Sequence, residues 1–448
     1  MVRMRVFCLT PIGFDAEQQI YAHLMNLAGR FVGDINFRRT ADYLAIAVAI
    51  SLPWSTSATT ILMVVLALAI LPILNLADLR REVFTMAGGI PLLLFAWAAI
   101  GMLWVDATWA EGLAGLRQFV KLLSIPILLA YFRHSNCGMR VMAGFIASCI
   151  ALLALSLTIV IWPEIQWWRL RDPGVPVKNY ITQSAEFVGS AFCLFYLSIE
   201  AWRTRAYTYS IIAALIAIAF IGDIVFVVTS RSALIVIPAL IVLFGVRLYG
   251  WKGLLMSVVA LSVLMLFAWN TSNYLRARIE NTEREIQSYR TDKEITSTGI
   301  HFEFLRKSIE FIAAAPVIGH GTGSTKSLFE QSAIGKTGVS GIVTSNPHNQ
   351  IFAVAIQLGL IGAAILVVMW IAHIWMFLGP GIAAWIGLVL VVQSILSSFF
   401  NTPLFDFTEG WIYVSGVGVL GGTVGRDIDS SVLAVSPASA RSIATKPS

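Results

Sequence analysis

The stretch SNPHNQ, Ser345 to Gln350, sets a histidine directly before IFAVAIQLGLIGAAILVVMWIA, an apolar run long enough to cross a bilayer. Asn346 has the side chain of a helix cap. Pro347 suits the first helical position, where its missing N–H would be unsatisfied anyway. This spacing predicts His348 in the first turn of a membrane helix. The positive helix end disfavours a second positive charge, so His348 is expected to be neutral near physiological pH and able to take a proton. The free N–H groups of the same helix end attract phosphate. The chemistry implied is a base placed where an anionic group docks; the alternative is a histidine that only bonds to loop carbonyls.

Arg231 lies in VVTSRSALIV, a very short connection between two strongly apolar runs. Its planar donor fork suits phosphate oxygens, against the plainer reading of a snorkelling anchor. Lys178 opens KNYITQSAE, followed by Gln183, Ser184 and Glu186 in an otherwise apolar segment, and reads either as an interfacial anchor or as a ligand. Two helices are expected further on. NYLRARIENTEREIQSYR has the mixed charge of a solvated helix, and HFEFLRKSIEFIAAAP places Phe302, Leu305, Ile309 and Ile312 on one apolar face, suited to lying along a membrane surface. His301 and Arg306 on the second helix are either site residues or held by Glu303 at helical spacing. The glycine-rich PVIGHGTGS permits close approach of backbone N–H groups to a ligand, with His320 a polar loop residue. Asp223, Arg117 and Lys121 are expected to pair with one another across the bundle.

These groups need elements to hold them, and composition decides which. With 57% hydrophobic and 12% charged residues and a mean hydropathy of +0.78, the chain is an all-α polytopic membrane protein rather than a water-soluble domain. Twelve spans are expected near 42–57, 58–76, 84–104, 115–132, 141–162, 181–200, 208–229, 232–248, 253–269, 349–371, 379–398 and 410–424. Arg3, Arg5, Arg30, Arg38 and Arg39 precede the first, and Arg80 and Arg81, Arg133 and Arg140, Arg203 and Arg205, and Arg247 with Lys252 fill every second connection after it. Basic residues collect on the cytoplasmic side, so both termini are expected there. Arg169, Arg171, Lys178 and Arg231 break that trend from the other side, which points to a functional demand.

The organisation expected is a segment 1–41, spans one to nine over 42–269, one large extracytoplasmic loop over 270–347, spans ten to twelve over 348–424, and a tail 425–448. The N-terminal residues lack the apolar core and cleavage site of a removable signal peptide, and the small, polar tail suggests disorder. Cys8, Cys137, Cys149 and Cys193 are scattered, with none in the large loop, and no metal-ligand spacing, phosphate loop or dinucleotide fingerprint appears. A net charge of +6 spread over cytoplasmic loops is ordinary topology, with no nucleic-acid partner implied.

Four pieces, SRSA, PVIGHGTG, NPHNQ…QLGLIG and FDFTEGW, occur in an order that resembles the bacterial O-antigen ligases of the wider O-antigen ligase and polymerase superfamily, between about Arg231 and Trp411. The resemblance implies a GT-C-like membrane glycosyltransferase that moves an assembled glycan from undecaprenyl diphosphate onto a sugar of the lipid A core, at the periplasmic face of the inner membrane. It implies inversion at the anomeric carbon, without metal or other cofactor. Arg231 then matches the family's arginine after span seven and His348 its histidine before span ten, the two catalytic candidates; Lys178, Arg306, His301 and Asn349 are candidates for contacts with the diphosphate or the rest of the substrate. Many relatives have an arginine where this chain has His301, which leaves the second diphosphate contact open. Related alternatives are an O-antigen polymerase, usually with two sizeable periplasmic loops, and a protein O-oligosaccharyltransferase, usually with a longer periplasmic or C-terminal domain. The non-enzyme alternative is a transporter, for which matched broken helices would be expected.

Overall fold

The computed structural model describes residues 37–164, 174–228, 230, 232–292 and 295–443, all helical or loop, with no strand among them. Arg231, Arg169, Arg171 and Cys8 lie outside the described residues. In chain order the helices are α1 (Phe37–Ser51), α2 (Thr56–Ile70), α3 (Leu76–Val83), α4 (Met86–Ile100), α5 (Trp109–Val120), α6 (Ser124–Phe132), α7 (Gly138–Ile161), α8 (Tyr180–Arg203) and α9 (Tyr207–Phe226). They continue as α10 (Ala233–Tyr249), α11 (Trp251–Thr271), α12 (Asn273–Asp292), α13 (Ser297–Ala314), α14 (Thr325–Ala333), α15 (Gln350–Met376), α16 (Ile382–Ser397) and α17 (Phe407–Ile443).

Among the described residues, seven stretches are long and apolar enough to cross a membrane: 56–73, 86–103, 109–132, 138–161, 207–226, 251–271 and 350–376. The other expected spans fall short for physical reasons. Helix α1 has 15 residues, α10 has 17 and α16 has 16, while α8 carries Gln183, Ser184, Glu186 and Ser190 on its buried side. The tail departs from the expected disorder. After Gly425 no glycine stops the helix, and α17 continues to Ile443.

The core sits where α6, α8, α15, α16 and α17 meet, around Phe132, Phe187, Trp385 and Tyr413. His373 of α15 ties this core together, its ring nitrogens bonding Tyr413 Oη at 2.6 Å and Ala87 O at 2.9 Å. The expected pairing of Asp223 with Arg117 and Lys121 is not formed. Asp223 accepts from Ser156 Oγ at 2.8 Å, and Lys121 Nζ donates to Asp406 O at 2.7 Å.

Helix α15 is broken. Gly359, about 14 Å along the helix axis from Gln350, stands at φ 66 and ψ −170 and interrupts the backbone ladder. The PVIGHGTG segment fills the gap. His320 N and Gly321 N each donate, at 2.9 Å, to Ile356 O and Gln357 O, while Leu360 N and Ile361 N donate to Pro316 O at 2.8 Å and Val317 O at 3.3 Å. Gln357 Oε1 takes Gly323 N at 2.8 Å, Leu358 O takes Trp97 Nε1 at 3.1 Å, and Thr322 N reaches Gly101 O at 3.1 Å. The close approach expected from the glycines is therefore real, but those N–H groups serve the broken helix and not a ligand.

Gly319 makes this crossing possible: its φ is +70, and a Cβ there would lie 2.5 Å from Gly359 N. Gly335 has the same φ of +70 but nothing within 4 Å. Gly335→Ala should cost only the backbone preference, on the order of 1 kcal/mol. Gly319→Ala adds a backbone collision, raising the cost to about 3 kcal/mol or more. Thermal unfolding of the purified variants in detergent checks this, and equal melting temperatures would refute the stitched break.

Candidate functional site

His348 does not occupy the first turn of α15. The helix starts at Gln350, and its cap is Asn349, whose Oδ1 accepts from Phe352 N at 3.1 Å. Asn346 instead closes a turn around the histidine, its Oδ1 accepting from His348 N at 2.8 Å. Thr344 holds Asn346 in place, its Oγ1 accepting from Asn346 N at 3.0 Å and donating to Asn346 O at 2.9 Å. His348 itself is left at φ 56, a left-handed conformation that costs a β-substituted residue on the order of 1 kcal/mol or more. Strain of this sort persists only where neighbours over-determine it, as they do at this turn.

The imidazole is enclosed by three groups. The His301 ring stands edge-on with centroids 4.6 Å apart, the Phe304 ring lies parallel at 6.0 Å and 8°, and the Asn401 side chain hydrogen-bonds to the ring. Burial pushes the His348 pKa below its usual 6.5, with the Asn401 bond pulling the other way. The expected neutral histidine therefore has a different cause, desolvation against Phe304 in place of a helix dipole.

The connection between α16 and α17 holds the turn from the other side. Ser398 O accepts from Gln350 N at 2.8 Å, Phe399 O accepts from Asn349 Nδ2 at 3.3 Å, and Leu404 N donates to Gln350 Oε1 at 2.9 Å. The same connection leads into FDFTEGW, which gathers the nearby lysines. Lys178 Nζ donates to Thr408 Oγ1 at 2.6 Å and to Leu52 O, and stands 3.9 Å from Glu186 Oε1. Lys178 is thus a brace between α1, α8 and α17 and bonds to nothing at His348.

Arg306 is also committed elsewhere. Its guanidinium donates to Glu303 at 3.1 Å and 2.7 Å and to Glu310, and with these bonds it holds the Glu303 carboxyl down to about 2. Of the residues singled out from sequence, His301, His348 and Asn349 come together, while Lys178 and Arg306 are drawn away. Ser230 and Val228 flank Arg231. Ser230 Oγ accepts from Ala233 N at 3.2 Å, and Val228 O accepts from Ser184 Oγ of α8 at 2.9 Å. Phe304 and Asn401 were missed. Phe304 lies on the face of α13 opposite the apolar stripe, and Asn401 is a single amide with no pattern around it. Among the described residues no group of three or more His, Cys, Asp or Glu is arranged to hold a metal ion.

Residues 214–367 match the sequence model of a family described as O-antigen ligase. The matched stretch runs from within α9 to just past the break in α15, so it contains SRSA, PVIGHGTG and NPHNQ together with the helices that place them. Comparison with curated proteins finds no match. That stretch is similar to the O-antigen ligase family, and among the described residues seven apolar stretches of membrane-crossing length surround it or fall within it, as in a membrane protein.

Proposed function

We propose that the protein is an O-antigen ligase: it transfers a glycan from undecaprenyl diphosphate to a sugar of the lipid A core, at the periplasmic face of the bacterial inner membrane. The observation that carries this reading is His348, a desolvated imidazole in a strained turn at the head of a broken membrane helix, inside the stretch that matches the family. The acceptor hydroxyl oxygen attacks the anomeric carbon as the bond to the diphosphate oxygen breaks, and the leaving diphosphate takes the bonding electrons. His348 takes the hydroxyl proton, and attack opposite the leaving group inverts the anomeric centre. Arg231 neutralises the departing phosphates through its paired donors. His301, beside His348, reads as a substrate contact, and Asn349 as the residue that sets the turn; Lys178 and Arg306 read as braces. A polymerase would use the same donor with a second lipid-linked glycan as acceptor. Among the described residues α12 to α14 form one run of loop helices, which favours the ligase.

Purified His348→Ala should remain folded, with a melting temperature near wild type, while glycan transfer to lipid A core falls by about two orders of magnitude or more. Transfer near the wild-type rate would sink the assignment. The pH dependence follows from the sign of the shift. A base with lowered pKa stays neutral until pH falls below 6.5, so the acid limb of turnover should lie below that value. Asn401→Asp places a carboxylate against the ring, raises its pKa and should move the acid limb to higher pH.

Arg231→Lys separates a phosphate clamp from an anchor. A clamp loses its paired geometry, so donor requirement should rise or turnover fall while acceptor affinity stays unchanged. An anchor tolerates lysine, and a fully active variant would move the clamp to another residue. Transfer is also expected to continue in excess EDTA; abolition by chelation with recovery in magnesium would refute a metal-free step.

A further inference from the structure

A cavity of about 510 Å³ lies at the other end of the bundle from His348, near the first described residues of α1, the start of α7 and the end of α6. Its volume is in the range of small-molecule sites. Three arginines line it: Arg38 and Arg39 from the first turn of α1 and Arg140 from the first turn of α7. Helix α7 has no acidic side chain in its first turn, and Cys137 gives it no side-chain cap. Arg140 thus stands at a positive helix end, an arrangement that costs energy until an anion is present.

The acidic groups on the wall have other partners. Asp42 accepts from Tyr131 Oη at 2.8 Å and Ser135 Oγ at 2.7 Å, and Asp78 is paired with His134 at 2.9 Å. Arg38 and Arg140 form no side-chain hydrogen bond or ion pair among the described residues. The lining is also partly apolar. Ile46 lies eight residues, or about 12 Å, further along α1 than Arg38, and Ile73 and Leu74 add apolar surface.

We infer that this cavity binds the headgroup of an anionic glycerophospholipid, independently of the transferase reading. The phosphodiester lies among Arg38, Arg39 and Arg140, and the glycerol with the first acyl carbons lies against Ile46, Ile73 and Leu74. The apolar lining is what selects a lipid over a free phosphate ion, and the arginines select an anionic headgroup over a zwitterionic one.

The test uses the full chain purified in detergent, with lipid retention read by native mass spectrometry and thermal stability read alongside it. The probes are phosphatidylglycerol, phosphatidylcholine with the same acyl chains, and inorganic phosphate. Wild type should retain phosphatidylglycerol in preference to phosphatidylcholine and melt higher in its presence, with added salt weakening both effects. The double variant Arg38→Gln, Arg140→Gln should lose affinity for phosphatidylglycerol on the order of ten-fold or more. Arg203→Gln, outside the cavity, should keep it. Equal retention of both lipids, or undiminished retention by the double variant, would overturn the site. Inorganic phosphate giving the same stabilisation as the lipid would overturn the lipid assignment. Should the double variant not fold, the single variants decide: each must lose part of the preference for phosphatidylglycerol, and retention of all of it by both refutes the proposal.

Discussion

Inside a bilayer no water is at hand for an unpaired peptide group, so every N–H and C=O must find its partner within the protein. The break at Gly359 violates the helix's own way of meeting that demand, and the segment Pro316 to Gly323 meets it instead, strand-like, from forty residues upstream in the chain. Much of the site follows from this crossing. Because Pro316 comes two residues after α13 and is bonded to α15, α13 is fixed against the head of that span, and its His301 and Phe304 are held beside His348. A glycine pattern that looks like a ligand loop is therefore a structural seam, and the site it supports stands next to it.

Charge distribution reinforces the same reading. Lys121, Lys178 and Arg306 each have protein oxygens as partners, through Asp406 O, through Thr408 and Leu52 O, and through Glu303 and Glu310. A diphosphate would have to displace those bonds to recruit any of them, at the cost of leaving buried acceptors unpaired. His348 has amides and rings as its neighbours, with Asn346 Oδ1 on its backbone N–H, Asn401 at its imidazole, and the His301 and Phe304 rings beside it.

The places of most helices could be read in the sequence because an apolar run of about twenty residues is a strong and local signal. The fine structure of the site was not local. Two asparagines flank Pro347 and His348, and both have capping side chains. The preference for proline at the first helical position favoured Asn346, yet Asn346 Oδ1 is used by His348 N and the cap falls to Asn349. Periodicity correctly found a stripe of Phe302, Leu305 and Ile309 on α13, but it does not say which medium each face meets, so Phe304 went unnoticed on the other side. Asn401 is held to His348 by a contact spanning fifty-three positions, and nothing in its own neighbourhood announces it.

The orientation of α13 explains why its stripe was so easily seen and its inner face was not. Phe302, Leu305 and Ile309 are 41%, 37% and 53% exposed, while Glu303 and Lys307 are each 1% exposed, the reverse of a helix on a water-soluble protein. The buried groups are satisfied: Glu303 by Arg306 and Tyr289, and Lys307 Nζ by Ser340 O at 2.7 Å. The outward apolar face, with Phe302 stacked on Tyr289, is favourable where the surrounding medium is itself apolar, as at the acyl boundary of a membrane. One helix then has two duties. Its outer face presents the exposed apolar stripe while its inner face sets Phe304 parallel to the His348 ring and His301 edge-on to it.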